Sequence, residues 1–521
     1  MKVVTAPQMR EIDRRTIEQE GVPSLTLMEN AGQGVFQVVR EYLADEGRPR
    51  VVVLCGRGNN GGDGLVVARK LREADVNPVV FLAGDPKTLS GDAAANYRRA
   101  REESIDIHEV AAESVAEVAA ACGEADVVVD ALLGTGISGE VTGVVGDLID
   151  AIDQSEAVVV AVDVPSGLNA DDGTPCGRAV VADATPTMGL PKLGLVLPSG
   201  RQYAGSVRVV DIGVPEHVIE EADATAEILT GSEARALLPP RPLDAHKGDF
   251  GRVLVVAGSV GMTGAAALCS EAALRIGAGL VYLAIPRGLN DLLEIKLTEV
   301  ITCPMPETRR RSLALASTDK IVELAAQCDA VALGPGLSQD PETQQVVYRL
   351  VDGIDRPLVI DADGLNALRR HENPLPARTA PTVITPHPGE MARLLGTTTD
   401  EIQTDRMGAA RRAAEQFRSV VVLKGAGTIT TQPGDGLCTI NTTGNPGMAS
   451  GGTGDVLTGM IAGLLAQHVA PLSPYDAARL GVYLHGLAGD LAAAETGQMS
   501  MIAGDVLRHV ATAVRRIQEG S

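Results

Sequence analysis

Residues 445–465 read NPGMASGGTGDVLTGMIAGLL, with a single carboxylate, Asp455, between a run of small residues and an apolar stretch. Asp favours helix starts and glycine suits the turn before them, so helix capping accounts for one acid and one glycine. Capping does not account for the whole run SGGTG. Backbone amides of such a loop can converge on an anion at a helix N-terminus. An acid beside a bound phosphate is badly placed for binding and well placed to accept a proton. The segment therefore points to phosphoryl transfer, with Asp455 as the proton acceptor.

A second glycine-rich stretch, CGRGNNGGDG, covers residues 55–64. Gly56, Gly58 and Gly61 match the dinucleotide-binding fingerprint, and Asp85 follows at roughly the spacing of the ribose-binding acid, so a Rossmann dehydrogenase is the obvious rival. Asn59, Asn60 and Asp63 fit that rival poorly, because the Asp63 carboxylate would repel a pyrophosphate. Asp130 with GTGISGE (134–140), and VDVPSGLN with Asp163 and Ser166, are further polar loops. Asn60, Asp130 and Ser166 offer hard oxygen ligands if these loops converge, a set suited to a cation with little affinity for thiolate or imidazole. Turn chemistry competes as an explanation for each motif, since Asn, Asp, Ser and Gly dominate turns.

In the second half, HKGDFGR (246–252), AGSVGMTGAA (257–266), GPGL (334–337), DADGLNAL (361–368), TPHPGE (385–390) and KGAGT (424–428) all stand at or near ends of strand-like runs. KGAGT suits close approach to a phosphate or an adenine ribose, with Lys424 adding charge; a glycine-containing hairpin turn reads equally well. His387 lies between two prolines, and taken alone it reads as a structural histidine. Asp361 and Asp363 read as plain strand-end acids. The chain has no GxxxxGK[ST] phosphate loop and no kinase HRD or DFG set.

These loops need a scaffold. A length of 521 residues predicts more than one domain. VVVLC (51–55), PVVFLA (78–83), ADVVVDAL (125–132), AVVVAVDV (157–164) and SVRVVDIG (206–213) are strand candidates in the first half. RVLVVAGS (252–259), GLVYLAIP (279–286), DAVALGPG (329–336), PLVIDAD (357–363), TVITPHPGE (382–390), SVVVLKGAGT (419–428) and GLCTIN (436–441) follow in the second. Such continuous apolar runs fit parallel strands buried on both faces, with ligands beyond their carboxyl ends. The first helix is expected to present Met9, Ile12 and Ile17 on one face and to stop at Gly21-Val22-Pro23. A second helix is expected over TLMENAGQGVFQVVREYL. The acidic, then proline-rich stretch from Glu216 to Gly251 separates the halves, with a boundary near residue 226. The expected domains are therefore 1–226 and 227–521.

Composition narrows the function classes. A formal net charge of -22 disfavours nonspecific binding to nucleic acid or an anionic membrane. No run reaches the about 18 apolar residues of a membrane span, and MKVVTAPQMREIDRR lacks the apolar core of a secretory signal. The seven cysteines form no CxxC and the eight histidines no HExxH. The cysteines read as reduced residues of a cytoplasmic protein.

MREIDRR, LMENAG, GRGNNGGDG, DALLGTG and VDVPSGLN, in that order, resemble the NAD(P)H-hydrate epimerase family over most of residues 1–215. The resemblance implies a Rossmann-like three-layer α/β/α domain that interconverts the R and S epimers at C6 of hydrated NAD(P)H. It implies that Asn59, Asn60, Gly61, Gly62 and Asp63 bind the hydrated cofactor. Gly134, Thr135, Gly136, Ile137, Ser138, Gly139, Glu140 and Asp163 would bind it as well. Asn60, Asp130 and Ser166 would hold a potassium ion, and Asp163 is the candidate for proton transfer, since carbinolamine epimerisation needs acid–base help.

The loop ending in Asp455 resembles the ribokinase superfamily. With DADGLNAL and TPHPGE, the second half is similar to ADP-dependent NAD(P)H-hydrate dehydratases over nearly all of residues 229–515. That likeness implies a ribokinase-like α/β/α domain in which Ala265, Gly336, His387 and Asp455 contact the hydrated cofactor. Lys424, Gly425, Ala426, Gly427, Thr428 and Gly454 would contact ADP or AMP. The implied chemistry is phosphorylation of the C6 hydroxyl of the S epimer and loss of phosphate, with Mg²⁺ accompanying the nucleotide. Expected partners are NADHX, NADPHX and ADP, with no nucleic acid, no membrane and a homo-oligomeric state. Two other readings stand beside this one. A hydroxymethylpyrimidine- or sugar-type kinase fused to a Rossmann-like regulator would share the Asp455 chemistry, and a nucleotide-sensing module would share only the binding.

Overall fold

The computed structural model describes residues 1–43, 49–137, 139–369, 375–434 and 436–520. The chain divides into two compact units, Lys2–Ala226 and, together with Met1, Glu227–Ser521.

In the first unit seven strands form one sheet, in the order Asp106–Val110, Val79–Ala83, Val51–Cys55, Val127–Ala131, Val158–Ala161, Ala184–Met188 and Ser206–Val210. Every adjacent pair is parallel. Val51–Cys55 and Val127–Ala131 are buried along their whole length, because helices cover both faces. Val52, Leu54, Phe81 and Val128 pack with Leu148, Ile149 and Ile152 of the helix Gly143–Asp153. The helices Ser24–Glu41, Asn59–Glu73 and Gly91–Glu102 pack together on the other side. Strand order reverses between Val51–Cys55 and Val127–Ala131, and a crevice for a ligand opens at such a switch point.

Two strands of this sheet escape the sequence reading. Asp106–Val110 (DIHEV) is an edge strand with a half-exposed, charged face. Ala184–Met188 (ATPTM) is fully buried but carries Pro186 and no Val/Ile run. The first helix, Ala6–Glu18, buries Met9 and Ile12 as expected, but its third large position is Thr16. Ile17 is instead 36% exposed. Thr16 tolerates burial because its hydroxyl donates to Ile12 O at 2.8 Å.

The second unit has a mixed sheet. From Ile301–Met305 through Leu280–Pro286, Arg252–Val256, Ala330–Leu333, Leu358–Ile360, Thr382–Ile384 and Val420–Leu423 the neighbours run parallel. Ile429–Thr431 and Cys438–Ile440 then continue antiparallel. Residues 424–428 are thus a hairpin turn, and the strands Ile301–Met305 and Ile429–Thr431 are additions to the sequence reading. Side chains alternate between two cores: Leu254, Val256, Leu333 and Ile360 on one face, Val253, Val255, Ala332 and Val359 on the other.

The helix Thr453–Leu465 sits on the second face, against the helix Thr263–Arg275. Gly459 makes this approach possible: a Cβ there would lie 2.0 Å from Cys269 O. Among the described residues no helix is long and apolar enough to cross a membrane.

Candidate active sites

A cavity of about 600 Å³ opens at the switch point of the first unit. Asp163 stands on its wall, just beyond the strand Val158–Ala161, with φ of +66°. Such a backbone state is costly for a non-glycine residue and persists where the surroundings over-determine it. Here they do. Asp163 N donates to Pro186 O at 2.9 Å. Its Oδ1 accepts from Lys192 Nζ at 2.5 Å, Met188 N at 2.9 Å and Thr187 Oγ1 at 3.1 Å. Lys192 is wholly buried, and its ammonium also donates to Met188 O at 2.8 Å and Thr187 Oγ1 at 3.1 Å. The sequence reading missed Lys192; the available signal was a lone lysine inside the apolar run GLPKLGLVL.

Asn59, Asn60, Asp63, Gly134, Thr135, Gly136 and Ile137 also line the cavity. Asp63 is 9% exposed. Burial pushes its carboxyl well above the ordinary range, the charges of Asp163 and Asp13 push the same way, and Lys192 opposes them. Asp13, on the first helix, shares the cavity and was also missed. Its carboxyl is pushed up to about 6, chiefly by burial.

Gly61 and Gly62 lie behind the wall. A Cβ on Gly61 would meet Gly56 O at 1.9 Å, and one on Gly62 the Met28 side chain at 2.8 Å. Their part is close packing. Gly139 and Glu140 do not line the cavity, and Glu140 lies against Gly177. Ser138 lies outside the described residues. Asp85, the acid the dinucleotide fingerprint would need, caps the turn Pro86–Thr88 by accepting from Lys87 N at 2.8 Å.

The three oxygen-ligand candidates converge. Asp130, at the end of Val127–Ala131, accepts from Ser166 N at 2.8 Å, Ser166 Oγ at 2.6 Å and Leu132 N at 3.2 Å. Ser166 Oγ accepts from Leu133 N at 2.8 Å, and Asn60 Nδ2 donates to Leu133 O at 2.9 Å. Asp130 is fully buried and has no cationic partner among the described residues. Burial lifts its carboxyl to about 6 against the pull of these hydrogen bonds. A buried carboxylate among neutral oxygens fits a monovalent cation.

In the second unit the loops at the carboxyl ends of the strands meet around Asp361, which is 1% exposed. Its Oδ1 accepts from Lys424 Nζ at 2.5 Å and its Oδ2 from Thr458 Oγ1 at 2.8 Å. Lys424 therefore does not present a free charge. Burial pulls its ammonium down, but Asp361 and Glu390 outweigh that and hold it above its ordinary value. Gly454 lies directly on this pair, where a Cβ would be 3.4 Å from Lys424 Nζ.

Asp455 is the third residue of the helix Thr453–Leu465, and the N-cap is Gly452, at φ of +98° with no side-chain cap bond. The capping explanation for Asp455 therefore fails. First-turn amides lack intrahelical acceptors, so those of Thr453, Gly454 and Asp455 remain available to an anion. The Asp455 carboxyl is pushed up to about 7, first by burial and then by Asp361, while Lys424 opposes. Thr453 Oγ1 donates to Met448 O and Ser450 O at 3.0 Å, and His485 Nε2 lies 2.9 Å from Thr453 O, so the loop is held from both sides.

Ala265 and Gly336 are neighbours, since a Cβ on Gly336 would lie 3.1 Å from Ala265 Cβ. His387 caps the helix Pro388–Leu395, with Nδ1 accepting from Gly389 N at 3.0 Å, and the other edge of its ring stays half exposed. Burial and then Lys424 hold its imidazole below the ordinary value. On the hairpin, Thr428 Oγ1 donates to Gly425 O at 2.8 Å. Arg406 braces the turn from behind through Leu423 O and Lys424 O. Arg406, Thr458 and Glu390 were not singled out in the sequence. Ala362, between Asp361 and Asp363, has φ of +49°, a second strained non-glycine residue at a strand end.

Comparison with known proteins gives both units a context. Residues 253–511 match the profile of NAD(P)H-hydrate dehydratase, and residues 24–194 that of the YjeF-related protein N-terminus. The bifunctional NAD(P)H-hydrate repair enzyme Nnr of Moorella thermoacetica is 44% identical over 521 residues, covering 100% of this chain and 98% of that protein. Its counterpart in Thermofilum pendens is 40% identical over 520 residues, covering 100% and 97%. Among solved structures, an ADP/ATP-dependent NAD(P)H-hydrate dehydratase from Bacillus subtilis, co-crystallized with ATP/Mg2+, is 34% identical. That match covers 56% of this chain and 98% of the other, at a TM-score of 0.48. With two full-length relatives of the same kind and both of its units matched in order, this chain belongs to the family of bifunctional NAD(P)H-hydrate repair enzymes.

Proposed function

We propose that the first unit epimerises R- and S-NAD(P)HX at C6 and that the second dehydrates the S epimer at the expense of ADP. The observation that carries this reading is the pairing of a carboxylate-walled cavity with an uncapped anion loop beside Asp455 in one chain. In the second unit Asp455 takes the proton of the C6 hydroxyl as its oxygen attacks the β-phosphorus of ADP. The amides of Thr453, Gly454 and Asp455 hold the transferring phosphoryl group, so positioning and electrostatics supply most of the rate. The C6–O bond then breaks with departure of phosphate, N1 donates its electron pair, and loss of a C5 proton gives NAD(P)H. Phosphorylation thus replaces hydroxide with a good leaving group. Among the described residues no group of three or more His, Cys, Asp or Glu side chains is arranged to hold a metal. Mg²⁺ is expected to arrive with the nucleotide, held chiefly by its phosphates.

The experiment is incubation of the purified chain with each NADHX epimer, with and without ADP, while NADH absorbance is followed. Both epimers should be restored, and only with ADP. A stable phosphorylated product would mean a kinase, and no turnover a binding module. A fragment of residues 227–521 should restore the S epimer and consume the R epimer no faster than it epimerises spontaneously. R turnover by that fragment at the full-chain rate would refute the division of labour.

Potassium belongs to the same proposal, held by Asp130, Asn60 and Ser166. When bound there it would neutralise the buried Asp130 carboxylate and fix the loops that carry Asn60 and Ser166. A carboxyl whose folded-state value is raised loses stability as pH rises from its unfolded value through its folded one, here from 3.8 to about 6. Potassium should offset that loss, so it is expected to raise the melting temperature at pH 8 more than at pH 5. Asp130→Asn should abolish the potassium effect and weaken epimerisation, with dehydration of the S epimer intact. Equal stabilisation of the variant by potassium would sink the assignment.

A further inference from the structure

Epimerising a carbinolamine requires an acid as well as a base. We infer that Asp63 is the acid of the first unit's cavity, delivering a proton to the C6 hydroxyl opposite the base Asp163. The inference rests on the epimerase reading above.

The two carboxyl groups share one cavity but not one environment. Asp163 Oδ1 accepts three hydrogen bonds, one from a buried ammonium. Asp63 is nine-tenths buried and lines the cavity, and no donor reaches its carboxylate among the described residues. It lies one turn inside the helix Asn59–Glu73, beyond the amides of the first turn that would favour its charge.

The groups that bear on Asp63 are mostly acidic. Asp13 comes from the first helix, Asp92 from Gly91–Glu102, and Asp163 from beyond its strand; each raises its proton affinity. The Cys55 thiol beneath it is held far above its ordinary value by burial and then by Asp63. Lys192 opposes but is committed to Asp163. Arg10 and Arg57 line the cavity without an ion pair to Asp63, and Glu29 on the neighbouring helix is taken up by Arg69 and Lys70. An acid crowded by other acids, in one cavity with a carboxylate tied to an ammonium, supplies a proton donor beside a proton acceptor.

The step balances. The Asp63 proton passes to the C6 hydroxyl, the C6–O bond breaks, and water departs as the N1 electron pair forms a C6=N1 double bond. A water then adds to the opposite face of C6, N1 regains its pair, and the proton of the incoming water goes to Asp163. Exchange with solvent returns each carboxyl to its starting state.

The test is Asp63→Asn in the full chain, with epimerisation read as ADP-dependent consumption of R-NADHX and dehydration read separately on pure S-NADHX. Epimerisation should fall by about 10²–10⁴-fold, and the decline of the wild-type rate at alkaline pH should disappear from what remains. The melting temperature should be unchanged or higher, because a neutral amide replaces a group held neutral by its surroundings. Retention of more than about a tenth of the rate overturns the assignment, given the size of effect expected for such a group. So does a fall with an unaltered pH profile, or a variant that fails to fold, since either would mean a structural role. An inactive wild type with active S-NADHX dehydration would instead remove the epimerase reading itself.

Discussion

Asp455→Asn is expected to lower ADP-dependent dehydration by about 10²–10⁴-fold, the contribution of a positioned base. The substitution keeps the shape of the side chain. It sacrifices no helix cap, because Gly452 occupies that position without a side-chain bond. It also removes an ionisation that the fold resists, since burial and Asp361 push this carboxyl up to about 7. A carboxyl raised in the folded state costs stability between its unfolded value of 3.8 and its folded one, so the variant should be no less stable than the wild type at pH 8. The same shift sets the sign of the rate profile. The base must be ionised to accept a proton, so wild-type dehydration should climb with pH through about 7. Nucleotide binding should stay near normal, because the anion loop is built from backbone amides. A variant that keeps more than about a tenth of the activity would end the case for Asp455, because a base is expected to supply far more.

Replacing Lys192 with methionine should cost the first unit about 3–5 kcal/mol, the penalty for leaving one half of a buried ion pair unpartnered. The Lys192 side chain is 0% and that of Asp163 14% exposed, so solvent screens little of the loss. Methionine fills most of the volume and supplies none of the three hydrogen bonds that Lys192 Nζ makes to Asp163, Thr187 and Met188. Asp163 would then keep its left-handed backbone with less to enforce it. Epimerisation should be lost with stability, whereas dehydration of S-NADHX should persist. Urea unfolding followed beside the two activities checks both parts; a loss below about 1 kcal/mol would place the pair in the class of solvated surface bridges.

The parallel strands were legible because VVVLC, RVLVVAGS and their like are apolar on both faces, as burial between two helix layers demands. DIHEV was not, because an edge strand half in solvent carries charges. ATPTM was hidden by Pro186. Asp163, Asp130, Ser166 and Asp455 could be singled out since each stands in or beside a short polar motif at the end of a strand or the start of a helix. Lys192 and Asp13 could not, because their significance lies in what faces them across the cavity. Asp361 and Lys424 were both noticed, yet one was read as a plain acid and the other as a free cation. Their pairing joins residues 63 positions apart in the chain, a relation that no local pattern carries.

The contact between Gly459 and the Cys269 carbonyl also limits how the second unit can move. A helix seated backbone to backbone on its neighbour has no side-chain layer along which to slide. The anion loop, fixed to the first turn of that helix, is then a stationary anvil, and any closing around substrate must be carried by segments free of that seat. The hairpin at 424–428 is not among them, because Lys424 is paired with Asp361, which also accepts from Thr458 of that helix.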